Sequence, residues 1–458
     1  MKTDLFVKSF LASFILVSFM SCSKGVVVKE EEDLDPPVVK TGYLADSEGE
    51  NYIDILFALK DLTDRIDSLA VRVNDPECPS LDKYFPLLQN KWTGSDWRLE
   101  IHRFTYNSVD AFGDPVVLSA KMYLVRQAGT GFHHPFHRSV IYCQSFVPYP
   151  DVGFFQIPYM MRALWGDVLV CPWYEGMGVD TGEDKYYNVS EIKLMGQQAV
   201  HCQLAALELM DRLGVKRARD FHTECYGTSN GAATAAAVAR NLEMGDEQTR
   251  KAVRLTSTVM LEGAMSYEPV FRDMLDGGAK AQVFVYAGMT NSLFRSNPDV
   301  FPEGTRREDF FSDWLNSYRI DTPLGSMHPL DAMYCGINVP LIDPRWGTLS
   351  PDAQLVFNPS FFNEDGSVRY DNPLVKGIGI AALRNDLTVD WRPRTHVVIY
   401  HSKDDDMISF DTVRKQYLAI SRNGTNPHVR MRKLSGMTHQ QAVFFAMLYL
   451  SVNPNPAI

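Results

Sequence analysis

One short stretch, residues 224–232, limits most strongly what this chain can fold into. It reads Glu-Cys-Tyr-Gly-Thr-Ser-Asn-Gly-Ala, and an alanine-rich run to Ala239 follows it. A strand-like approach, a Gly-x-Ser-x-Gly turn and a helix in this order predict a nucleophile elbow, in which the serine hydroxyl stands clear of a sheet. The glycines allow the strand and the helix to approach closely. Ser229 is therefore the predicted nucleophile, and a serine that only caps the helix is the alternative.

The composition of the 458-residue chain is ordinary for a folded protein, with 45% hydrophobic and 22% charged residues. The formal net charge of −11 argues against nucleic acid as a partner, because phosphate binding needs a basic surface. Apart from Cys22, six cysteines are scattered without a Cys-x-x-Cys pair. Several of the six lie in apolar runs, and we interpret these as small buried core residues, with one disulfide bridge as an open alternative.

The N-terminus has the features of an export signal. Lys2 and Lys8 precede an apolar run at residues 10–20, which is too short to span a membrane as a helix, and Cys22 follows. Residues 1–22 resemble a bacterial lipoprotein signal peptide. The resemblance implies that Cys22 is acylated and anchors the chain to the outer membrane of the cell envelope, on its periplasmic or surface side. A plain secretory signal is the alternative, and both predict export.

The segment after the signal changes composition. Residues 23–50 are acidic and contain Pro36 and Pro37, so they predict a flexible tether. Apolar residues recur at helical spacing over residues 53–73, which predicts an amphipathic helix. The first part of the folded core is expected to span residues 51–265.

From Trp97 onward, strand and helix patterns alternate. Period-two runs on both sides of a turn predict a hairpin, and short apolar runs predict further strands. A helical stripe covers residues 191–213. This alternation is typical of an α/β fold with a mostly parallel central sheet and flanking helices. The predicted strands are a hairpin over 97–125, then 139–143, 167–171 and 255–261.

The alternation stops over residues 266–387, which contain helical pieces such as 308–318 and no clear strand pattern. More than a hundred residues are far too many for an ordinary connection, so they predict a large, mainly helical cap inserted into the fold. The second part of the core is expected to span residues 388–458. It contains predicted strands at 396–400 and 429–434 and a last helix at 440–450.

A serine hydroxyl needs a base beside it, and an acid that holds the base in the correct tautomer. Both late strands lead to such residues. The strand at 396–400 runs into three consecutive aspartates, 404–406, and the strand at 429–434 runs through a Gly-containing loop to His439. His439 is the predicted base and one aspartate the predicted acid. A calcium site from the three carboxylates is disfavoured, because adjacent side chains point in different directions.

Several motifs together resemble the α/β-hydrolase superfamily, and more narrowly its secretory lipase and esterase group. They are Tyr-Asn-Ser-Val-Asp-Ala-Phe-Gly-Asp-Pro at 106–115, Pro-Trp-Tyr-Glu-Gly-Met-Gly at 172–178, the elbow, and Trp391-x-Pro393. The similarity covers roughly residues 95–265 and 385–445 and leaves the cap unmatched. It implies hydrolysis of a carboxylic ester, without a metal or an organic cofactor.

The resemblance also implies site residues. Superposing the common His-Gly-x-x-Asp pattern on His401 and the residues after it selects Asp405 as the acid. The oxyanion formed in ester hydrolysis needs backbone N–H donors, the first from the residue after the nucleophile, Asn230. The second is expected from the loop after an early strand, at Gln144.

We therefore expect a serine hydrolase acting on a small-molecule ester of a carbohydrate, aryl or lipid alcohol. A serine peptidase on the same fold and a noncatalytic binding lipoprotein are the alternatives. The histidine-rich loop at 133–137 suggests a metal, but no matching acid or cysteine group accompanies it, so no metal is predicted. Aromatic residues near the site loops, such as Trp173, would either pack the cap or contact an aromatic or sugar substrate.

Overall fold

The computed structural model describes residues 42–54, 88, 91, 97–127, 135–145, 157–177, 188–278, 283–334, 352–434 and 436–453. The predicted signal peptide with Cys22, most of the predicted tether and residues 55–73 of the predicted helix lie outside these ranges. Within them, no helix has the length and apolar character needed to cross a membrane.

Nine strands form one central sheet. They are β1 (Leu44–Asp54), β2 (Trp97–Val109), β3 (Pro115–Gln127), β4 (Phe136–Cys143), β5 (Val168–Pro172), β6 (Arg217–Thr228), β7 (Leu255–Leu261), β10 (His396–Ser402) and β11 (Val429–Leu434). The order across the sheet is β1-β2-β3-β5-β4-β6-β7-β10-β11. Neighbours are antiparallel from β1 to β5 and parallel from β5 to β11. The predicted mostly parallel sheet and its early hairpin are thus confirmed.

Helices flank the sheet and follow its strands. Those of the core are α1 (Ile157–Leu164), α2 (Ile192–Arg212), α3 (Asn230–Met244), α4 (Glu247–Val253), α11 (Phe410–Ile420) and α12 (His439–Val452). Between β7 and β10 lie α5 (Glu268–Leu275), α6 (Val283–Ser296), α7 (Asp313–Ser317), α8 (Pro329–Tyr334), α9 (Ala353–Val356), α10 (Pro373–Arg384) and a small hairpin of β8 (Ile320–Thr322) and β9 (Gly325–Met327).

Both faces of the sheet are covered. Along β6, Cys225 packs into the apolar cluster that includes α2 and α3, whereas Tyr226 packs into the opposite cluster with α1 and α12. Successive side chains in a strand point to opposite faces of the sheet, so Cys225 and Tyr226 contact the helical layers on opposite faces. The helices α2 and α3 touch closely, since a Cβ at Gly196 would lie 2.6 Å from Ala237 Cβ. The result is a three-layer α/β fold.

The four described internal cysteines lie in these buried layers as free thiols. Cys143 and Cys225 come closest, on the neighbouring strands β4 and β6, with 3.8 Å between their sulfur atoms. The interpretation of Cys143, Cys171, Cys202 and Cys225 as core residues is confirmed.

The N-terminal boundary differs from the prediction. The sequence predicts a tether up to residue 50 and a helix from residue 53, but Leu44–Asp54 forms an edge strand antiparallel to β2. An edge strand gains its backbone hydrogen bonds from its neighbour and tolerates charged side chains well. Acidic composition therefore did not exclude a strand here.

The insertion between β7 and β10 has its own aromatic interior. The predicted helix at 308–318 is divided into a 3₁₀ turn (Arg307–Phe310) and α7, because Ser312 caps α7 by accepting the Leu315 N–H. The hairpin β8–β9 was not expected from the sequence. Rings pack in contact across several pieces of the insertion, namely Phe294, Phe301, Phe310, Phe311, Phe357 and Phe361.

Both ends of the insertion are fixed at one place. The Leu387 N–H donates to the Met265 carbonyl at 3.0 Å, so the chain leaves and rejoins the core side by side. Gln416 on α11 accepts the Met265 N–H at 2.6 Å and donates to the Ser266 carbonyl at 2.9 Å. These hydrogen bonds are buried, which makes them costly to break without replacement.

Candidate active site

Ser229 occupies the turn between β6 and α3. Its φ of 52° and ψ of −121° are unusual for a residue with a side chain, and its N–H donates to the Leu261 carbonyl at 2.7 Å. A Cβ at Gly227 would lie 1.9 Å from the Gly231 carbonyl oxygen, and a Cβ at Gly231 would lie 2.0 Å from the Cys143 carbonyl oxygen. Only glycine fits both positions, so the two glycines permit the sharp turn that presents the Ser229 hydroxyl.

His439 is the first residue of α12. Thr438 caps this helix by accepting the Gln441 N–H, and the His439 N–H donates to Asp406 Oδ1 at 2.9 Å. The imidazole Nε2 lies 2.9 Å from Ser229 Oγ, although the two residues are 210 positions apart in the chain. This is the distance at which a base can remove the serine proton.

Asp405 lies on the other side of the imidazole. Its Oδ2 is 2.7 Å from His439 Nδ1, and its Oδ1 accepts the N–H groups of Met407 and Ile408, both at 2.8 Å. Asp404 instead accepts the Gly436 N–H at 2.7 Å. The structure therefore brings Asp405, of the three consecutive aspartates, to the ring of His439.

His439 and Asp405 influence each other's protonation. Burial opposes protonation of His439, but the adjacent Asp405 carboxylate outweighs burial, and Asp406 adds to it, so the pKa of His439 is raised. Burial likewise opposes ionisation of Asp405, yet the contact with His439, and to a lesser degree His401, holds its pKa below the usual range. An ionised Asp405 stabilises the imidazolium that forms when His439 accepts a proton.

Asn230 and Gln144 lie beside the turn. Asn230 is the first residue of α3, so its N–H belongs to the first turn, where helical N–H groups have no partner within the helix. Gln144 is buried, and its carbonyl oxygen would lie 2.5 Å from a Cβ at Gly231. The structure thus brings both residues next to the nucleophile elbow. Their role as oxyanion donors remains a prediction.

Three further residues at this site were not selected from the sequence. Tyr267, the residue directly before α5, donates its hydroxyl hydrogen to Asn230 Oδ1. Glu262 and His401 are fully buried, and His401 Nδ1 lies 3.4 Å from Glu262 Oε2. Glu262 directly follows β7, at the same sheet edge as Ser229. A charged residue immediately after a buried strand was the one available sequence signal for it.

Among the described residues, one group of side chains has the donor atoms of a possible metal site. Glu262, His401 and Asp405 could each offer a ligand atom, with all three atoms within 4.8 Å of one another. The same Asp405 carboxylate already contacts His439 Nδ1 at 2.7 Å. Of the histidine-rich segment predicted as a loop, His137 lies in β4, is exposed, and has its Nδ1 2.7 Å from Asp220 Oδ1. His133 and His134 lie outside the described residues.

Solved structures resemble this arrangement of strands and helices. A ligand-bound form of the rice cell wall degrading esterase LipA from Xanthomonas oryzae has a TM-score of 0.63 and 15% sequence identity, covering 92% of this chain and 97% of that one. The chain has an α/β-hydrolase fold. A Legionella pneumophila protein assigned to the hydrolases gives a TM-score of 0.64 at 14% identity, covering 89% of this chain and 96% of its own. No protein-family model and no curated protein sequence matches the chain.

The α/β-hydrolase fold explains why the site lies where it does. Each part of the site follows the carboxyl end of a strand. Ser229 follows β6 and Glu262 follows β7. The loop with Asp405 follows β10, and the segment leading to His439 follows β11. In open parallel sheets, ligands bind at this edge. The LipA esterase of Xanthomonas oryzae is among the solved structures that share this general architecture.

Proposed function

We propose that the protein is a serine hydrolase that cleaves carboxylic esters with Ser229, His439 and Asp405. One observation carries the proposal: an unbroken line of contacts from Ser229 Oγ to His439 Nε2 at 2.9 Å and from His439 Nδ1 to Asp405 Oδ2 at 2.7 Å. A nucleophile, a base and an orienting acid in this geometry suit acyl transfer.

In the proposed mechanism, Ser229 Oγ attacks the ester carbonyl carbon while His439 Nε2 takes the hydroxyl proton. The N–H groups of Asn230 and Gln144 would stabilise the oxyanion. The tetrahedral intermediate collapses when the C–O bond to the alcohol breaks, and the alcohol leaves with the proton from His439. Water then attacks the acyl-enzyme by the same route, which releases the acid and restores Ser229.

A half-buried, strained serine beside a histidine should react with a fluorophosphonate. We expect a fluorescent fluorophosphonate to label the protein lacking residues 1–22, and Ser229→Ala to abolish labelling. Ser326→Ala, at an exposed position of β9, is the matched control and should label like the wild type. An unlabelled wild-type protein would favour the noncatalytic binding function.

The substrate class is a second part of the proposal. The expected substrates are acylated carbohydrates, aryl esters or lipid esters, and the cell wall degrading activity named for the similar LipA esterase favours acylated carbohydrate. A panel of p-nitrophenyl esters of graded chain length, acetylated oligosaccharides and a peptide p-nitroanilide separates these classes. Anilide cleavage without ester cleavage would favour the peptidase alternative.

We also propose that the protein is exported and lipid-anchored through Cys22. The apolar run before this cysteine supports the proposal. Metabolic labelling with a radioactive fatty acid should mark the wild type, whereas Cys22→Ala should be unlabelled and leave the membrane fraction. A secretory signal alone predicts no label on either protein.

A further inference from the structure

Glu262 carries two unfavourable features that its local structure does not explain. It is fully buried, and its φ of 54° lies in the left-handed region, which is strained for a residue with a Cβ. Both carboxyl oxygens accept the Ser402 N–H, at 2.9 and 3.0 Å. No lysine or arginine of the described chain forms an ion pair with it, so the charge of an ionised Glu262 would be poorly compensated.

The neighbouring His401 presents a lone pair to this carboxyl group. His401 Nε2 lies 2.9 Å from the Ile408 carbonyl oxygen, which can only accept, so Nε2 carries the hydrogen. Burial lowers the pKa of His401, against the opposing effect of Asp405, which favours the neutral ring. Nδ1 is then an unprotonated acceptor. It is buried, lacks a well-formed hydrogen bond, and lies 3.4 Å from Glu262 Oε2.

The other neighbour of Glu262 is an anion. Asp405 is held ionised by His439, and carboxylate oxygens of Asp405 and Glu262 lie within 4.8 Å of each other. Burial first, and the Asp405 charge second, raise the pKa of Glu262 well above its usual range. A lone pair on one side and a carboxylate on the other both favour a hydrogen-bond donor at this position.

We propose that Glu262 is a positioning residue that keeps its proton in the active enzyme, so that Asp405 is the one charged carboxylate of the Glu262–His401–Asp405 cluster behind His439. The proposal rests on the proposed hydrolase function. A second carboxylate would stabilise protonated His439 and make it a poorer base at neutral pH. The protonated acid instead fills the space behind Asp405, donates toward Asp405 or His401 Nδ1, and accepts the Ser402 N–H. It exchanges no proton with the substrate.

The titratable groups beside Glu262 are His401, at the end of β10, and Asp405, in the loop that follows. On the insertion side, Tyr286 of α6 donates its hydroxyl to the Met407 carbonyl at 2.8 Å. Burial raises the pKa of Tyr286, and Asp405 raises it further, so this neighbour is neutral. Asp405 is thus the carboxylate whose charge raises the pKa of Glu262.

Infrared spectroscopy tests the proton directly and without any substrate. In heavy water near neutral pH, we expect a C=O stretching band of a protonated carboxylic acid in the wild type, and loss of that band in Glu262→Gln. Identical carboxylic-acid bands in the two proteins would overturn the proposal. Because this measurement needs no turnover, its outcome is independent of whether the protein hydrolyses esters.

Kinetics test the effect on His439. A glutamine at 262 is neutral like the protonated acid, so the acid-side pKa of kcat/KM should stay within about 0.3 pH unit of the wild-type value, whatever happens to the rate. If Glu262 is ionised, removing its charge should lower that pKa by about one unit or more. Such a downward shift would overturn the proposal.

A second variant separates positioning from charge. Glu262→Leu keeps much of the volume but leaves the Ser402 N–H and His401 Nδ1 without a polar partner. We expect it to lower kcat about tenfold or more with little change in KM, and Glu262→Gln to recover most of that loss. Equal losses in both variants would contradict the positioning role. If the leucine variant does not fold, the infrared band and the pH profile of Glu262→Gln still decide.

Discussion

Replacing Asp405 by asparagine should inactivate the protein while leaving the fold intact, because the surroundings dictate how the new amide is oriented. The N–H groups of Met407 and Ile408, both 2.8 Å from Asp405 Oδ1, require an oxygen at that position. The amide nitrogen is then directed at His439 Nδ1. A donor there forces Nδ1 to be the acceptor and Nε2 to carry the hydrogen, so His439 cannot accept the proton of Ser229.

The size of the effect follows from these contacts. Turning the amide would break two buried hydrogen bonds, at a cost of about 1–3 kcal/mol each, so the inactive orientation dominates. The wrong tautomer in a comparable triad costs about 10⁴ in kcat, which corresponds to about 5.5 kcal/mol. We expect a similar loss for Asp405→Asn with a preferred p-nitrophenyl ester, together with an unfolding free energy within about 1 kcal/mol of wild type.

The neighbouring aspartates provide matched controls. Asp404 and Asp406 accept single backbone N–H groups, and an asparagine oxygen can still accept them. Asp404→Asn and Asp406→Asn should therefore retain kcat within about tenfold. If Asp405→Asn kept more than a tenth of the wild-type kcat, or lost less than Asp404→Asn, the assignment of the acid would be refuted.

Three further outcomes are expected. Since the pKa of His439 is raised and its neutral form is the base, kcat/KM should fall on the acid side with a midpoint above 6.5, and a lower midpoint in a pH-rate profile would contradict this. Because the folded-state pKa of Glu262 is raised, the contribution of this residue to native stability should fall by about 1.4 kcal/mol per pH unit between its unfolded and folded pKa values. In urea titrations, Glu262→Gln should gain stability relative to wild type as the pH rises above about 4.3, and a constant difference at all pH values would refute the linkage. Tyr267→Phe leaves the buried Asn230 Oδ1 without its donor and should cost about 1–3 kcal/mol of unfolding free energy by thermal or urea unfolding; no loss would show that the hydroxyl contributes nothing.

The parts of the site that could be predicted from the sequence are those with a local signature. The elbow around Ser229 needs glycines at fixed spacing, and those requirements appear within nine consecutive residues. The order of the strands along the chain then restricts where an acid and a histidine can stand. Selecting Asp405 among three aspartates depended on family resemblance, since its two backbone donors and its distance to His439 are features of the folded loop.

The parts that could not be predicted depend on pairing between distant segments. Residues 44–54 form a strand because β2 offers an edge more than forty residues later, and their acidic composition gives no sign of it. Glu262 is adjacent to His401 because β7 pairs with β10 across the whole insertion. A single glutamate after a strand has no periodicity or motif, so its position behind Asp405 becomes visible only in three dimensions.

The hydrogen bond between Leu387 and Met265 has a consequence for how proteins of this architecture can diversify. Two chain ends that meet at one point can be joined by a short turn as well as by more than a hundred residues, since closing a longer loop adds little free-energy cost. The insertion is thus a segment that can vary without moving the two points at which it joins the core. Its length and sequence can be altered, or grafted from another chain, while the spacing of β7 and β10, and with it the distance from Ser229 to His439, is preserved.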